Sequence, residues 1–173
     1  MEYPNPMKKP RIEKIVVNIG VGESGEKLGK AEKLLEELTE CKPVRTVSTH
    51  KIPSWNLKKG DPIGCKVTLR GEKAEEFLKK GFQAKENSIK ESCFDNNGNI
   101  SFGIIEYIDL PGTRYDPDIG VFGMNISVRL ERPGFRVKRR RFKKSRIPAK
   151  NMIKREESIE FMREKFGVQI SEE

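Results

Sequence analysis

The chain has 173 residues, a length that favours a single domain over residues 1–173, and its 35 Lys or Arg residues outnumber 26 Asp or Glu residues to give a net charge of +9. Hydrophobic residues and charged residues each make up 35% of the chain, which excludes a disordered composition, and no apolar run approaches the ~20 residues of a membrane span. Three cysteines without a CxxC pair and one histidine exclude a convincing zinc site, so we expect no metal, no cofactor and the reduced thiols of a cytosolic protein.

The first half of the chain is predicted to form a strand, a helix and a second strand, followed by a long loop. Residues 12–21 alternate between apolar and polar side chains, which predicts a half-buried strand with one apolar face: Ile15, Val17, Ile19 and Val21. Apolar residues at helical spacing predict a helix over 27–39. A β-rich stretch at 43–50 precedes residues 51–64, where two prolines, two glycines and several lysines predict an exposed loop.

The second half continues this mixed pattern of strands and helices. Further elements are predicted in chain order: a strand at 65–70, a helix around Phe77, a hairpin turn at 95–99, a loop at 109–120 and a strand at 124–130. A C-terminal helix is predicted at 155–167, with Ile159, Met162 and Phe166 on its inward face. The pattern predicts a single α+β domain with a largely antiparallel sheet and helices packed on one of its faces.

The excess positive charge lies in residues 132–150, which we call the basic arm. The arm has ten basic residues and no acidic one, whereas the rest of the chain carries 25 basic and 26 acidic residues. A run without counter-charges repels itself and extends unless a polyanion neutralises it, and nucleic acid is the usual polyanion. Two prolines and a glycine interrupt the helix that a membrane anchor would need, so we expect no membrane contact.

The side chains of the basic arm are therefore predicted to contact RNA. The two aromatic residues of the arm, Phe135 and Phe142, either stack on bases or hold the arm against its own domain. The predicted ribosomal RNA contacts of the arm are Arg136, Lys138, Arg139, Arg140, Arg141, Lys143, Lys144 and Arg146. A related alternative is a chaperone-like basic protein that uses the arm alone and binds RNAs without preference.

One motif suggests an enzyme, but its context does not support this. The sequence GVGESG at 20–25 matches the G-x-G-x-x-G turn of dinucleotide-binding folds, which raises the alternative of a nucleotide-dependent oxidoreductase. That motif requires an acidic residue at the end of the next strand, and the first carboxylate after this strand is Asp61. The only histidine, His50, has no acidic partner nearby in the sequence, so no catalytic residue is predicted.

Four blocks of the sequence resemble a known family. The blocks VVNIGVGE at 16–23, GDPIGCKVTLRGEKAEEFL at 60–78, SFGIIEYIDLPG at 101–112 and DPDIGVFGMNISV at 116–128 resemble the universal large-subunit ribosomal protein five family, which binds 5S ribosomal RNA in the central protuberance. The basic arm and the C-terminal helix resemble the archaeal and eukaryotic branch. The resemblance implies a curved antiparallel sheet backed by helices in a cytoplasmic, non-enzymatic component of the large subunit.

The resemblance also implies an RNA-binding sheet face. It maps the 5S ribosomal RNA contacts onto Asn18, Thr68 and Arg70, and Lys66 points outward beside them. An amide, a hydroxyl and a guanidinium suit phosphates, 2′-hydroxyls and exposed bases, although they also suit a merely solvated sheet face. Cys41 stands where bacterial members of the family carry a glutamine that contacts the RNA, so we do not expect that contact here.

Further partners are implied by the resemblance alone. The loop 51–64 matches the element that reaches the peptidyl-site tRNA, and its predicted contacts are His50, Lys51, Trp55, Lys58 and Lys59. Trp55 either stacks on a base or anchors the loop to its own domain. Large-subunit ribosomal RNA and other central-protuberance proteins are implied neighbours. The acidic loop 109–120 is the candidate contact to a small-subunit head protein across the subunit interface.

Overall fold

The computed structural model describes residue 3 and residues 5–171 of the chain. Within these residues there are seven strands and four α-helices. The strands are β1 (Arg11–Gly20), β2 (Val44–Val47), β3 (Pro62–Leu69), β4 (Ser88–Lys90), β5 (Ile100–Ile104), β6 (Met124–Glu131) and β7 (Gln169–Ser171). The helices are α1 (Glu26–Thr39), α2 (Glu72–Gln83), α3 (Arg136–Arg139) and α4 (Arg155–Phe166).

Five strands form one antiparallel sheet, and the predicted α+β fold is confirmed. Their order is β2-β3-β1-β6-β5, so the longest strand, β1, lies in the centre. The short strands β4 and β7 form a separate parallel pair. None of the described helices is long and apolar enough to cross a membrane.

The core lies between the sheet and the helices, as the alternation of the strands predicts. Ile15, Val17 and Ile19 of β1 are at most 1% exposed, and helices α1 and α2 pack against this face of the sheet. Buried side chains of these helices complete the layer: Leu28, Ala31, Leu34 and Leu35 of α1, and Ala74, Phe77, Leu78 and Phe82 of α2.

The C-terminal helix α4 also packs against the core, although its buried face differs slightly from the prediction. Met162 is buried as predicted, whereas Ile159 and Phe166 are only partly buried. Ser158 is fully buried, and the fold tolerates this because the Ser158 hydroxyl donates a 3.1 Å hydrogen bond to the carbonyl of Gly98. A satisfied hydroxyl can replace an apolar side chain in a core at little cost.

The strand β3 begins three residues earlier than predicted. Residues 62–64, assigned to the loop from their proline and glycine content, pair with β2. Proline is tolerated at the first residue of a strand, and Pro62 occupies that position. Gly64 is required by packing, since an added Cβ would lie 2.6 Å from the carbonyl oxygen of Ile19.

The glycine-rich motif at 20–25 forms a tight turn between β1 and α1. The backbone N–H groups of Val21 and Gly22 both donate to the carbonyl of Ile63, at 3.0 and 2.9 Å. Gly25 precedes α1 with a φ of 131°, which other residues rarely adopt. Two of the amides that a phosphate would need are therefore bound within the protein, which argues against the oxidoreductase alternative.

The three thiols differ in burial, and this predicts different reactivity. Cys65 of β3 is fully buried, and desolvation, reinforced by the nearby Glu32 carboxylate, raises the pKa of its thiol to about 11. Cys41 and Cys93 are free and half-buried. Because the thiolate is the reactive form, Cys65 should remain unmodified by a disulfide reagent near pH 8 while the other two react. Mass spectrometry after a time course checks this, and early labelling of Cys65 in the folded protein would contradict its placement.

Candidate nucleic-acid interface

Polar side chains line the face of the sheet opposite the helices. On this face Lys66 of β3 lies directly across from Asn18 of β1, and Asn18 lies across from Asn125 of β6. Two residues further along β3, on the same face, Thr68 lies across from Val16. Lys66 and Thr68 are exposed and Asn18 is half-buried. The sheet residues predicted to bind RNA, except Arg70, therefore form one continuous surface.

This surface extends beyond the residues predicted to bind RNA. Ser127 of β6 follows Val16 in the same row, and its hydroxyl lies 3.1 Å from that of Ser101 on β5. Gly103 of β5 lies across from Asn125, and a Cβ added at Gly103 would lie 3.1 Å from the side-chain oxygen of Asn125. The alternation of β6 already places Asn125 and Ser127 opposite its apolar residues, so their role was detectable from the pattern.

A cluster of carboxylates and arginines lies at one end of this face; we call it the arginine cluster. It begins at Glu13, which occupies a β-bulge where Ile12 pairs with Leu130 but Lys14 pairs with Arg129. A bulge re-aims the side chain of the extra residue. The cluster contains two carboxylates, with side chains 4% and 6% exposed, and four arginines: Glu13, Glu131, Arg11, Arg70, Arg129 and Arg139.

Each arginine of the cluster contacts a buried carboxylate. Arg11 donates a 2.9 Å hydrogen bond to Glu131 Oε1, and Arg129 Nε lies 2.9 Å from Glu13 Oε2. Arg70, just beyond β3, lies 3.7 Å from Glu13 Oε1 and is 56% exposed. Arg70 therefore has one side facing Glu13 and another open to solvent at the end of the polar face.

Arg139 connects the basic arm to this cluster. One of its terminal nitrogens donates to Glu13 and the other donates to Glu131. Nearer the start of the arm, Arg132 donates to both oxygens of Glu157 on α4 at 2.6 and 2.7 Å. The expectation of an extended arm without counter-charges is therefore wrong at these two residues, because carboxylates outside the arm, on β1, β6 and α4, neutralise them.

The other arginines and lysines of the basic arm, including all those predicted to contact RNA, are exposed. Arg140 donates to the carbonyl of Lys143 at 2.8 Å, which closes a turn around Phe142. Phe142 is 75% exposed with the guanidinium of Arg141 5.4 Å from its ring centre, whereas Phe135 is half-buried. Of the two aromatic residues, Phe142 is therefore the one available to stack on a base.

The loop between β2 and β3 projects from the opposite end of the face. Ile52 and Leu57 form an isolated antiparallel β-bridge, and Leu57 is buried at 5% exposure, so it anchors the loop. The backbone N–H of Lys58 donates to the carboxylate of Asp61 at 2.8 Å. Trp55 is 69% exposed, so Trp55 does not anchor the loop to its own domain. His50, Lys51, Lys58 and Lys59 are also exposed.

The loop and the basic arm are well separated. They lie beyond opposite ends of β3, whose eight residues at about 3.3 Å each span about 25 Å. Charges at this distance are screened from each other at physiological salt, where the Debye length is about 8 Å. The two groups of basic residues can therefore contact different parts of an RNA, or different RNAs.

The edge strand β2 carries an arginine that is already paired. Arg45 donates two hydrogen bonds to Glu32 on α1, at 2.5 and 2.9 Å. This pairing lowers the pKa of the Glu32 carboxyl and raises the pKa of the Arg45 guanidinium. Arg45 therefore links the edge strand to α1 and is a poor candidate for RNA contact.

Buried side chains of the loop 109–120, together with Tyr107 just before it, hold this loop in place. Leu110 and Ile119 are buried at either end, and the Tyr107 hydroxyl accepts a 3.0 Å hydrogen bond from the backbone N–H of Asp116. Tyr115 is 55% exposed at the surface of the loop. Over residues 3 and 5–171, no group of three His, Cys, Asp or Glu side chains is arranged to hold a metal ion.

Two family models match the chain in succession. The model described as "Ribosomal protein L5" matches residues 5–58, and the model for the C-terminus of the same ribosomal protein family matches residues 62–161. The chain belongs to the ribosomal protein L5 family. The four sequence blocks that resemble this family lie almost wholly within the matched residues, so the resemblance is confirmed.

Relatives of this L5 chain cover nearly its whole length. The "large ribosomal subunit protein uL5" of Sulfurisphaera tokodaii is 56% identical over 169 residues, 97% of this chain and 96% of the relative. Proteins of the same name from Methanosphaera stadtmanae and Methanococcoides burtonii are 52% and 49% identical, over 96% of this chain and 99% and 98% of their own. L5 membership makes the chain a ribosomal protein, a structural component and not an enzyme.

Proposed function

We propose that the chain is a constituent of the large ribosomal subunit in the cytoplasm and binds 5S ribosomal RNA through the polar face of its sheet. The observation that carries this proposal is the continuous surface of amide, hydroxyl and ammonium groups formed across three strands by Asn18, Lys66 and Asn125 in one row and Thr68 in the next. Such groups suit phosphates, 2′-hydroxyls and exposed base edges, which are the features that distinguish a folded RNA.

The basic arm supplies the second part of the proposed interface. Its exposed residues from Lys138 to Arg146, apart from Arg139, carry charges that no carboxylate in the described chain is seen to neutralise. Each such charge that contacts a phosphate releases a counterion, so the arm strengthens binding without reading sequence. We assign the arm to ribosomal RNA of the large subunit, next to the site of the 5S RNA.

The exposed loop between β2 and β3 is proposed to contact peptidyl-site tRNA. Its support is the exposure of Trp55, Lys58 and Lys59 at the end of the sheet remote from the arm. An indole and two ammonium groups suit a stacked base and its phosphates. The braced loop 109–120 is the proposed contact to a small-subunit head protein, and other central-protuberance proteins are proposed neighbours.

The separation of loop and sheet gives a test of this division. Replacing Lys58 and Lys59 with alanine should leave 5S RNA affinity of the isolated protein within about twofold at physiological salt, because the loop lysines lie beyond a Debye length from the central face. The same variant in assembled ribosomes should retain peptidyl-site tRNA less well. Filter binding and tRNA dissociation rates measure the two effects. Equal loss of both would contradict the assignment of the loop to tRNA.

A further inference from the structure

Two buried carboxylates lie within a surface proposed to bind a polyanion, which requires an explanation. The side chains of Glu13 and Glu131 are only 4% and 6% exposed, and they lie at the end of the polar face beside the basic arm. A buried carboxylate is costly unless it is paired, and a negative charge near an RNA site also repels phosphate. If charge alone mattered, neutral side chains would serve better at both positions.

The contacts of these carboxylates suggest what they do. Arg139 reaches both of them with two different nitrogens, so it fixes the helix α3 of the arm to β1 and β6 at once. Glu13 also contacts Arg70 and Arg129 from neighbouring strands. Four arginines surround two carboxylates, so the cluster keeps an excess of two positive charges.

We propose that Glu13 and Glu131 are positioning residues, which fold the basic arm against the sheet, and that Glu13 also orients Arg70 and Arg129 for RNA. The inference rests on the proposed binding of 5S RNA and deepens it. A guanidinium held by a carboxylate on one side presents its remaining N–H groups in a fixed direction. RNA then binds an arm that is already folded, so less conformational entropy is lost on binding.

If Glu13 is a positioning residue, Glu13→Gln should change the affinity for 5S RNA in the opposite direction to the one that net charge predicts. Glu13→Gln makes the protein more positive, so charge alone predicts tighter binding to every RNA. Positioning predicts weaker binding to 5S RNA with unchanged or tighter binding to an unrelated RNA. Glu76→Gln, an exposed position on α2 with the same change in charge, is the matched control.

A second variant separates geometry from charge altogether. Arg139→Lys keeps the charge but removes the planar fork that reaches both carboxylates. Trypsin should then cleave the arm at least about tenfold faster in native conditions. This factor corresponds to the loss of one charge-assisted hydrogen bond, which lets the arm detach more often. Arg163→Lys, at an exposed position on α4 outside the proposed RNA interface, is the control, and its arm should be cleaved like that of the original protein.

The experiment measures affinity for 5S RNA and for an unrelated structured RNA at about 150 mM salt, together with cleavage of the arm. We expect Glu13→Gln and Arg139→Lys to lose 5S affinity and protection, and both controls to keep them. Tighter binding of both RNAs by Glu13→Gln, or an Arg139→Lys variant that matches its control, would overturn the inference. If Glu13→Gln does not fold, Arg139→Lys decides alone. Failure of the original protein to prefer 5S RNA would instead overturn the proposed function.

Discussion

Replacing Thr68 and Arg70 with alanine is expected to weaken 5S RNA binding by about 2–6 kcal/mol at fixed salt, because each specific side-chain contact contributes about 1–3 kcal/mol. Thr68 is exposed in the middle of the polar face, and Arg70 is 56% exposed at its end. Titration of labelled 5S RNA with the variant and the original protein measures the change. The same titration with an unrelated RNA should change less, since only the charge of Arg70 is lost there.

The loop variant with Lys58 and Lys59 replaced is the control for this prediction. It removes two positive charges, whereas the Thr68 and Arg70 pair removes one. If net charge determined the affinity, the loop variant would lose more. We expect it to lose less, and a loss below about 1 kcal/mol from the Thr68 and Arg70 pair, the lower end for one specific contact, would contradict the sheet-face assignment.

Alanine at Gly64 is expected to destabilise the fold by about 1–3 kcal/mol, the usual cost of adding a methyl group to a packed position. Its Cβ would lie 2.6 Å from the Ile19 carbonyl oxygen and 3.0 Å from the Thr46 hydroxyl, so the backbone of the central strand must shift. The substitution should lower the urea midpoint of unfolding. It should also disturb the start of β3, where the polar face meets the loop.

The facing residue Gly20 is a matched control for this change. Gly20 and Gly64 are cross-strand partners, but a Cβ added at Gly20 meets no atom within 4 Å. Gly20→Ala should therefore be neutral or stabilise the fold by about 0.4–1 kcal/mol through the unfolded state. Equal urea midpoints for the two variants would contradict the register between β1 and β3.

The sheet and its core were predictable because their signals are local. Alternation along 12–21 and 124–130 fixes which residues of β1 and β6 are buried, and the same alternation places Asn18 on the opposite face. Two of the four blocks that carry the family resemblance overlap these strands, and the other two cover β3 with the start of α2, and most of β5. The start of β3 was not predictable, because proline and glycine at 62–64 are typical of loops unless the neighbouring strand is known.

The arginine cluster depends on contacts that no local pattern reveals. Arg139 and Glu13 are 126 residues apart, and Glu13 reaches the arm only because a bulge interrupts the pairing of β1 with β6. Counting charges along residues 132–150 suggested a free arm, since the counter-charges lie on other strands and on α4. The exposure of Trp55 was likewise undecided, because the choice of Leu57 as the anchor of the loop depends on how the loop folds.

The most direct test of the account is a competition experiment between RNAs. Labelled 5S ribosomal RNA is bound to the protein at about 150 mM salt and challenged with about a hundredfold excess of tRNA or of an unrelated structured RNA. The account predicts that 5S RNA stays bound, because contacts to its shape and exposed bases add several kcal/mol to the phosphate contacts. Displacement of 5S RNA by either competitor would contradict it and would favour a basic protein that binds RNA through its arm alone.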